Sequence, residues 1–203
     1  ELPGKAEEIK KRMEALSPDI VIGMKYLYSN MPYSDVGNYT FDTYLDYVQQ
    51  GIYLWENSPY VKNYPELYFL NYVLFHRTND EEIKPCRTYF WKKIKDKVQG
   101  KAMVEAALEI NHWCAGEVMY QGTDMRTGSS LEIYISGVGR CGEEAVFVVN
   151  VMRSAGIPAR PVYVPRWSHC DDNHAWVEVW CDGDWHYLGA CEPEAVLDKG
   201  WFT

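Results

Sequence analysis

The fold is decided by one stretch of the sequence, GRCGEEAVFVVNVMRSAGIP, which runs from residue 139 to residue 158. Its middle part, 145–152, is almost wholly apolar, so a helix here must be buried on nearly all sides. Gly156 is typical of a helix C-terminus, and Pro158 prevents the helix from continuing. The stretch therefore predicts a buried helix over 141–155 that opens with a polar, glycine-flanked cysteine.

The sequence after this helix predicts an antiparallel sheet. Strand-like runs cover 160–164, 174–181 and 185–189, and the last two flank a tight hairpin signal, Asp182-Gly183-Asp184. Along the middle run, alternation places His174 and every second residue after it on one face. Ala175, Val177, Val179 and Cys181 share the opposite face.

The sequence before residue 121 predicts helices, among them a long one over 103–120, whereas 121–139 is predicted to be a polar loop. Helices followed by an antiparallel sheet favour the α+β class. We predict a helical extension over 1–98 and a core domain over 99–203. The chain begins at Glu1 without Met, and both of its ends look cut, so we expect a piece of a longer protein.

Composition excludes some partners. The 203 residues carry a net charge of −9, with an estimated pI of about 5.1. Binding to phosphate backbones needs clustered Lys and Arg, so no nucleic-acid partner is expected. No apolar run approaches the roughly 18 residues that a spanning helix needs, so no membrane span is expected. The oligomeric state is left open.

The chemistry predicted for the chain centres on Cys141. A thiol at a helix N-terminus lies at the positive end of the helix dipole and next to unpaired backbone N–H groups, both of which favour the thiolate. Gly139 and Gly142 keep the approach to the sulfur free of side chains. His174 opens a strand expected to face this helix, and we predict that it is the base that takes the thiol proton.

Three motifs resemble the transglutaminase-like superfamily. The first, 139–145 together with 152–160, is similar to the family's nucleophile helix and the strand that follows it. The second, 172–180, is similar to the family's histidine strand. The helix with Asn-His-Trp at 111–113 resembles the one that precedes the family's nucleophile. The resemblance covers roughly 100–195 and implies a papain-like fold, with a buried nucleophile helix on an antiparallel sheet, and a Cys-His-Asp triad acting on amides. Relatives include protein crosslinkers, proteases and peptide N-glycanases.

The third triad position departs from the family pattern. Gly189 stands where the resemblance leads us to expect an Asp. Glu192, which is followed by proline, is the best substitute, with Glu194 behind it. Such a carboxylate would hold the histidine tautomer and stabilise the imidazolium. Trp113 and Gln121 are residues of the right type to complete an oxyanion site, although packing and loop roles explain them as well.

Two other interpretations compete. One is a zinc site, because Cys and His are the preferred zinc ligands and several crowd one region. The spacing fits no structural-zinc pattern, however, so no metal and no organic cofactor is expected. The candidates are His169, Cys170, His174, Cys181 and Cys191. The other is a catalytically weak or inactive module that binds peptides or glycans through Trp167, Trp176 and Trp180.

We therefore predict a cysteine-dependent amide hydrolase or acyltransferase that forms a thioester on Cys141, with hydrolysis favoured over crosslinking because water needs no second binding site. The expected substrate is a protein, a peptide or a glycopeptide. The acyl donor remains open between a glutamine side chain, a peptide bond and a glycosylated asparagine. The resemblance and the N-terminus favour a bacterial, extracytoplasmic setting, either periplasmic or secreted and surface-anchored. If Cys141 stays free, at most two disulfides can form.

Overall fold

A computed structural model describes residues 2–122, 124 and 126–202 of the chain. The helices of the first half pack their apolar residues inward, at the spacing that the sequence predicted. Pro18 restarts the chain as a new helix, and the side chain of Thr40 caps a third long helix by accepting a hydrogen bond from the N–H of Thr43 at 3.3 Å. The helices before residue 120 are α1 (Leu2–Met13), α2 (Pro18–Asn30), α3 (Tyr33–Asn38), α4 (Phe41–Asn57), α5 (Glu66–Phe69, continuing as a π-helical turn over Leu70–Leu74), α6 (Arg87–Val98) and α7 (Met103–Glu117).

The segment 121–139, predicted to be a loop, contains regular structure, and that prediction is wrong. Helix α8 covers Ser130–Ser136, with a capping box in which Ser129 and Glu132 bond each other's backbone N–H groups. Two short parallel strands, β1 (Met119–Tyr120) and β2 (Val138–Gly139), pair on either side of α8. As a result α7 ends at Glu117 instead of continuing to residue 120.

Helix α9 (Cys141–Ser154) is the centre of the fold, as predicted. All residues from Glu143 to Ser154 are buried. Packing on every side explains why a run this apolar is stable as a helix. The helix packs against α6, α7 and α8 and against two strands of the sheet.

The sheet is three-stranded and antiparallel, in the order β3 (Ala159–Val164), β4 (His174–Cys181) and β5 (Asp184–Leu188). The hairpin between the last two strands turns at Asp182 and Gly183, which have φ angles of 53° and 93°. Positive φ at both positions is type I′ geometry, so the predicted tight hairpin is confirmed. In β4 the residues at 175, 177, 179 and 181 are buried, so the predicted alternation of faces is confirmed.

Buried polar side chains tie the helical first half to α9. Gln50 Nε2 donates to the carbonyl of Ser154 at 3.0 Å, and Tyr64 Oη donates to the carbonyl of Gly156 at 2.7 Å. The Arg153 guanidinium, 3% exposed, donates to the carbonyls of Phe75 and Ala159. Helices that pack beside a core helix lying on an antiparallel sheet confirm the α+β class. The division at residue 98 stays a prediction.

Within the described residues, no helix combines the length and the apolar character needed to cross a bilayer. All six cysteines lie in this part of the chain, and each is a free thiol in the structure.

Candidate active site

Cys141 is the first residue of α9 and is half-buried. A Cβ added to Gly142 would lie 2.8 Å from Nη1 of Arg140, so the glycine lets this guanidinium approach the start of the helix. Nη2 of Arg140 also donates to Oγ1 of Thr127 at 3.0 Å. The guanidinium and the helix N-terminus both attract an anion at this point.

The start of α9 is held by Glu143. Its Oε2 accepts a hydrogen bond from the N–H of Arg140 at 3.1 Å, and its Oε1 accepts one from the N–H of Gly128 at 3.2 Å. The carboxylate therefore fixes the loop before the helix against the helix itself. This support keeps the backbone N–H groups of Cys141 and Gly142 at the open first turn, where no preceding turn supplies an acceptor.

His174 opens β4, as predicted, on a strand that packs against α9. The residue is 7% exposed. Burial lowers the pKa of the imidazole below its ordinary value, while the charges of Glu192 and Asp172 act in the opposite direction. Within the described part of the chain, Nε2 of His174 has no hydrogen-bond partner. In the same part of the chain, the imidazole forms no hydrogen bond with the sulfur of Cys141.

Glu192, the carboxylate predicted to replace the missing Asp, lies beside Gly189, the position where that Asp was expected. A Cβ added to Gly189 would lie 2.8 Å from Cβ and 3.2 Å from Cδ of Glu192. The Glu192 side chain thus fills the volume that a side chain at residue 189 would need. Its two carboxylate oxygens each accept a hydrogen bond of 3.0 Å from Nε1 of Trp201, not from His174.

Glu144 links this carboxylate to the start of α9. It lies three residues after Cys141, on the same side of the helix, and is 5% exposed. Burial first, then the charges of Glu192 and Glu143, raise the pKa of Glu144 to about 8. Glu144 is therefore mostly neutral at pH 7 and adds little negative charge near the thiol. The charge of Glu192 raises the pKa of both Glu144 and His174, and the ring of Trp201, which donates to Glu192, lies 4.7 Å from that of His174.

The second acid named from the sequence lies apart from this arrangement. Glu194 is exposed and forms an ion pair of 2.9 Å with Lys199. It is not among the charges that act on His174 or on Glu144. These observations favour Glu192 over Glu194 as the candidate acid.

Aromatic rings surround the imidazole of His174. The ring centroids of Trp201 and Phe202 lie 4.7 Å and 5.1 Å from it, and those of Trp167 and Trp176 lie 6.4 Å and 6.1 Å away. These rings pack around the imidazole, in agreement with the 7% exposure of His174.

The expectation that Trp180 lies near the site is wrong. Its ring lies 4.3 Å from that of Tyr68 and 5.6 Å from that of Trp185, at the far end of β4 from the histidine. Trp180 therefore joins the helical first half to the sheet. Trp180 lies on the same face of β4 as His174 but six residues further along this extended strand.

The two oxyanion candidates differ in placement. The ring of Trp113 is stacked 5.9 Å from that of Tyr134, which indicates a packing role. Gln121 is exposed, and its N–H donates to the carbonyl of Gly139 at 2.9 Å, two residues before Cys141. The backbone of Gln121 is therefore bonded to the end of β2, shortly before Cys141 in the sequence. Its role in binding an oxyanion stays a prediction.

The cysteines and histidines considered for zinc do not converge. Cys181 is fully buried on the core face of β4, whereas Cys170 is exposed. Across residues 2–122, 124 and 126–202, no three His, Cys, Asp or Glu side chains are grouped so that they could hold a metal ion. A cavity of about 690 Å³ between Asp35 and Glu143 is lined by neither Cys141 nor His174.

Comparisons with known proteins agree with the sequence motifs. Residues 92–190 match the family model of the transglutaminase-like superfamily, a range that includes Cys141 and His174. The resemblance predicted from the sequence is confirmed for this segment. At this coarse level the match supports a cysteine-dependent hydrolase or acyltransferase.

A solved structure from Cytophaga hutchinsonii, provisionally described as a cysteine protease, is similar to part of the chain, with 23% identity and a TM-score of 0.42. The match covers 52% of this chain and 36% of that one, so the chain spans about a third of the length of that protein. A search of proteins with curated descriptions found no match.

Sequence reasoning missed three residues of the site. Glu144 was noted only as part of a motif, although its place one turn after Cys141 was a usable signal. Asn111 was likewise noted only as part of a motif, without its role, and Trp201 reaches the site from a part of the chain that no local pattern marks.

Proposed function

We propose that the chain is a cysteine-dependent amide hydrolase or acyltransferase, with Cys141 as the nucleophile, His174 as the base and Glu192 as the acid beside it. The observation that carries the proposal is that a half-buried thiol begins the central helix and a histidine begins the strand that packs on that helix. Glu192, in the space beside Gly189, supports it.

The reaction follows from these positions. The thiol proton passes to His174, and the sulfur attacks the amide carbon, forming a C–S bond while the carbonyl oxygen becomes an oxyanion. The N–H groups at the first turn of α9 are suited to bind that oxyanion. The C–N bond then breaks as His174 gives its proton to the leaving amine, which leaves a thioester on Cys141. Water, or a second amine, attacks the thioester, loses its proton to His174 and releases the thiol.

The missing hydrogen bond between Cys141 and His174 is compatible with this chemistry, because such bonds are often long without substrate and tighten when it binds. Glu192 adds negative charge near the imidazole, which favours the imidazolium that forms during the reaction. The proposed substrate is a protein, peptide or glycopeptide, and the proposed setting is outside the cytoplasm.

Peptides that contain glutamine, in the presence and absence of a primary amine, test the proposal. Ammonia release, peptide-bond cleavage and amine incorporation are measured, and intact-mass spectrometry detects an acyl adduct on the protein. We expect turnover of at least one of these kinds, lost in Cys141→Ala and His174→Ala. Turnover that persists in Cys141→Ala would refute the assignment of the nucleophile.

One observation favours a non-catalytic alternative. Nε2 of His174 is buried without a partner in the described residues, and the oxygens of Glu192 are bonded to Trp201 instead. A binding module would retain the aromatic surroundings of His174 and bind peptides without an adduct. Equal peptide binding by the wild type and by Cys141→Ala, with no turnover by either, would support this alternative.

A further inference from the structure

The turn that carries Glu192 is held by a buried amide from another element. Asn111 lies on α7 and is 1% exposed. Its Nδ2 donates to the carbonyl of Gly189 at 2.9 Å and, more weakly, to that of Glu192 at 3.4 Å, while its Oδ1 accepts from the N–H of Cys191 at 3.0 Å. One side chain therefore satisfies three backbone groups of a four-residue segment.

The turn itself has an uncommon backbone. The N–H of Glu192 donates to the carbonyl of Gly189 at 3.1 Å, and Cys191 has a φ of 57°. A residue other than glycine rarely adopts this left-handed conformation unless its surroundings impose it. Cys191 is thus both the residue in the left-handed conformation and the residue whose N–H donates to Oδ1 of Asn111.

The conformation of the turn decides where the acid lies. The turn brings residue 192 back over residue 189, so the Glu192 side chain occupies the space beside the Gly189 Cα. A relaxed turn would release that side chain from Trp201, whose ring lies 4.7 Å from that of His174. The position of the carboxylate thus depends on backbone groups that are bonded to α7.

We propose that Asn111 is a positioning residue that holds the carboxylate of Glu192 beside Trp201 and near His174, which allows an acid four positions after the end of β5 to serve the site. The inference rests on the proposed function, because it assigns the support of the acid in that same site. Asn111 does not touch the reacting atoms and acts through the turn.

The test compares Asn111→Asp and Asn111→Ala with Gln50→Ala. The Asp variant keeps an acceptor for the N–H of Cys191 but loses the donor to the two carbonyls, and the Ala variant loses all three bonds. Gln50 is a matched control, since it is a buried amide, 4% exposed, that bonds a backbone carbonyl away from the turn. Circular dichroism confirms the fold of each variant, and Asn111→Asp decides the matter if the Ala variant does not fold.

Two NMR signals report on Glu192 without any need for activity. They are the indole N–H resonance of Trp201, whose partner is the Glu192 carboxylate, and the titration of the His174 ring. We expect both Asn111 variants to move the indole resonance. We expect Asn111→Ala, which adds no charge, to lower the pKa of His174, because Glu192 no longer opposes the effect of burial. Alkylation of Cys141 by iodoacetamide at pH 7 is expected to slow by roughly threefold to tenfold, which lies in the lower part of the range for coupled neighbours. Gln50→Ala should leave all three unchanged.

A double variant separates this role from general loosening. Asn111→Ala combined with Glu192→Gln should show the same His174 titration as Glu192→Gln alone. A folded Asn111→Asp variant with the wild-type indole resonance and the wild-type His174 titration would overturn the inference. If His174→Ala does not slow the alkylation of Cys141 in the otherwise wild-type protein, the proposed function fails, while the two NMR signals still decide the role of Asn111.

Discussion

Replacing Glu192 by Gln should change the titration of two other residues at once. The substitution removes a charge but keeps the size of the side chain, so the space beside Gly189 stays filled. Glu192 raises the pKa of both Glu144 and His174 by its negative charge. Without that charge, the pKa of each group falls.

The size of the effect on Glu144 can be bounded. Its pKa is raised from 4.5 to about 8 by three causes, of which burial is the largest, Glu192 the second and Glu143 the third. Glu192 therefore supplies less than half of the rise, and we expect the pKa of Glu144 to fall by about one pH unit, equivalent to about 1.4 kcal/mol. For His174 the expected result is a fall, because burial then acts with less opposition.

The assay is NMR titration of the variant with ¹³C-labelled glutamate carboxyl groups and histidine rings. Glu194→Gln is the matched control, because this acid lies two residues further along the same segment and acts on neither group. It should leave both titrations unchanged. An unchanged Glu144 titration in Glu192→Gln would refute the conclusion that one carboxylate lies near both the first turn of α9 and the start of β4.

Three further predictions use other variants. The pKa of Glu144 is higher in the folded chain than in the unfolded one, so its contribution to stability is complete below about pH 4.5 and is lost as the pH rises towards 8. Glu144→Gln should therefore gain about 2–3 kcal/mol relative to the wild type between pH 4.5 and 7, measured by urea unfolding, and an equal difference at both pH values would contradict this. Gly189→Ala must displace the side chain of Glu192, so its His174 titration should move in the direction seen for Glu192→Gln, and a wild-type titration would show that the two side chains do not compete for space. Phe147→Ala empties a fully buried position in α9 and should cost about 3–5 kcal/mol in thermal or urea unfolding, whereas a cost below about 1 kcal/mol would contradict the central packing of this helix.

The parts of the fold that the sequence predicted are those set by local rules. A continuous apolar run bounded by Gly156 and Pro158 leaves little choice but a buried helix, and the Asp182-Gly183 pair marks a type I′ hairpin. Helix α8 was missed because seven residues give a weak periodic signal. The pattern Ser129-x-x-Glu132 at its start was available and is the capping box that the structure shows.

The candidate site was predictable to the same extent. Cys141 and His174 could be named because each is the first residue of its element and lies in a motif that resembles the transglutaminase-like superfamily. The surroundings of Glu192 could not be predicted, since Asn111 and Trp201 reach it across the fold. Such contacts depend on tertiary packing, which leaves no mark at a fixed spacing in the sequence.

The most direct measurement is the rate at which iodoacetamide alkylates Cys141, followed by peptide mass spectrometry across pH 5–9 in the wild type and in His174→Ala. The other five thiols provide internal references, with Cys170 as the exposed one. If the imidazole shares the proton of this sulfur, Cys141 in the wild type reacts faster at pH 7 than Cys170, and the advantage disappears in His174→Ala. Equal rates for Cys141 in the two proteins at every pH would contradict the account.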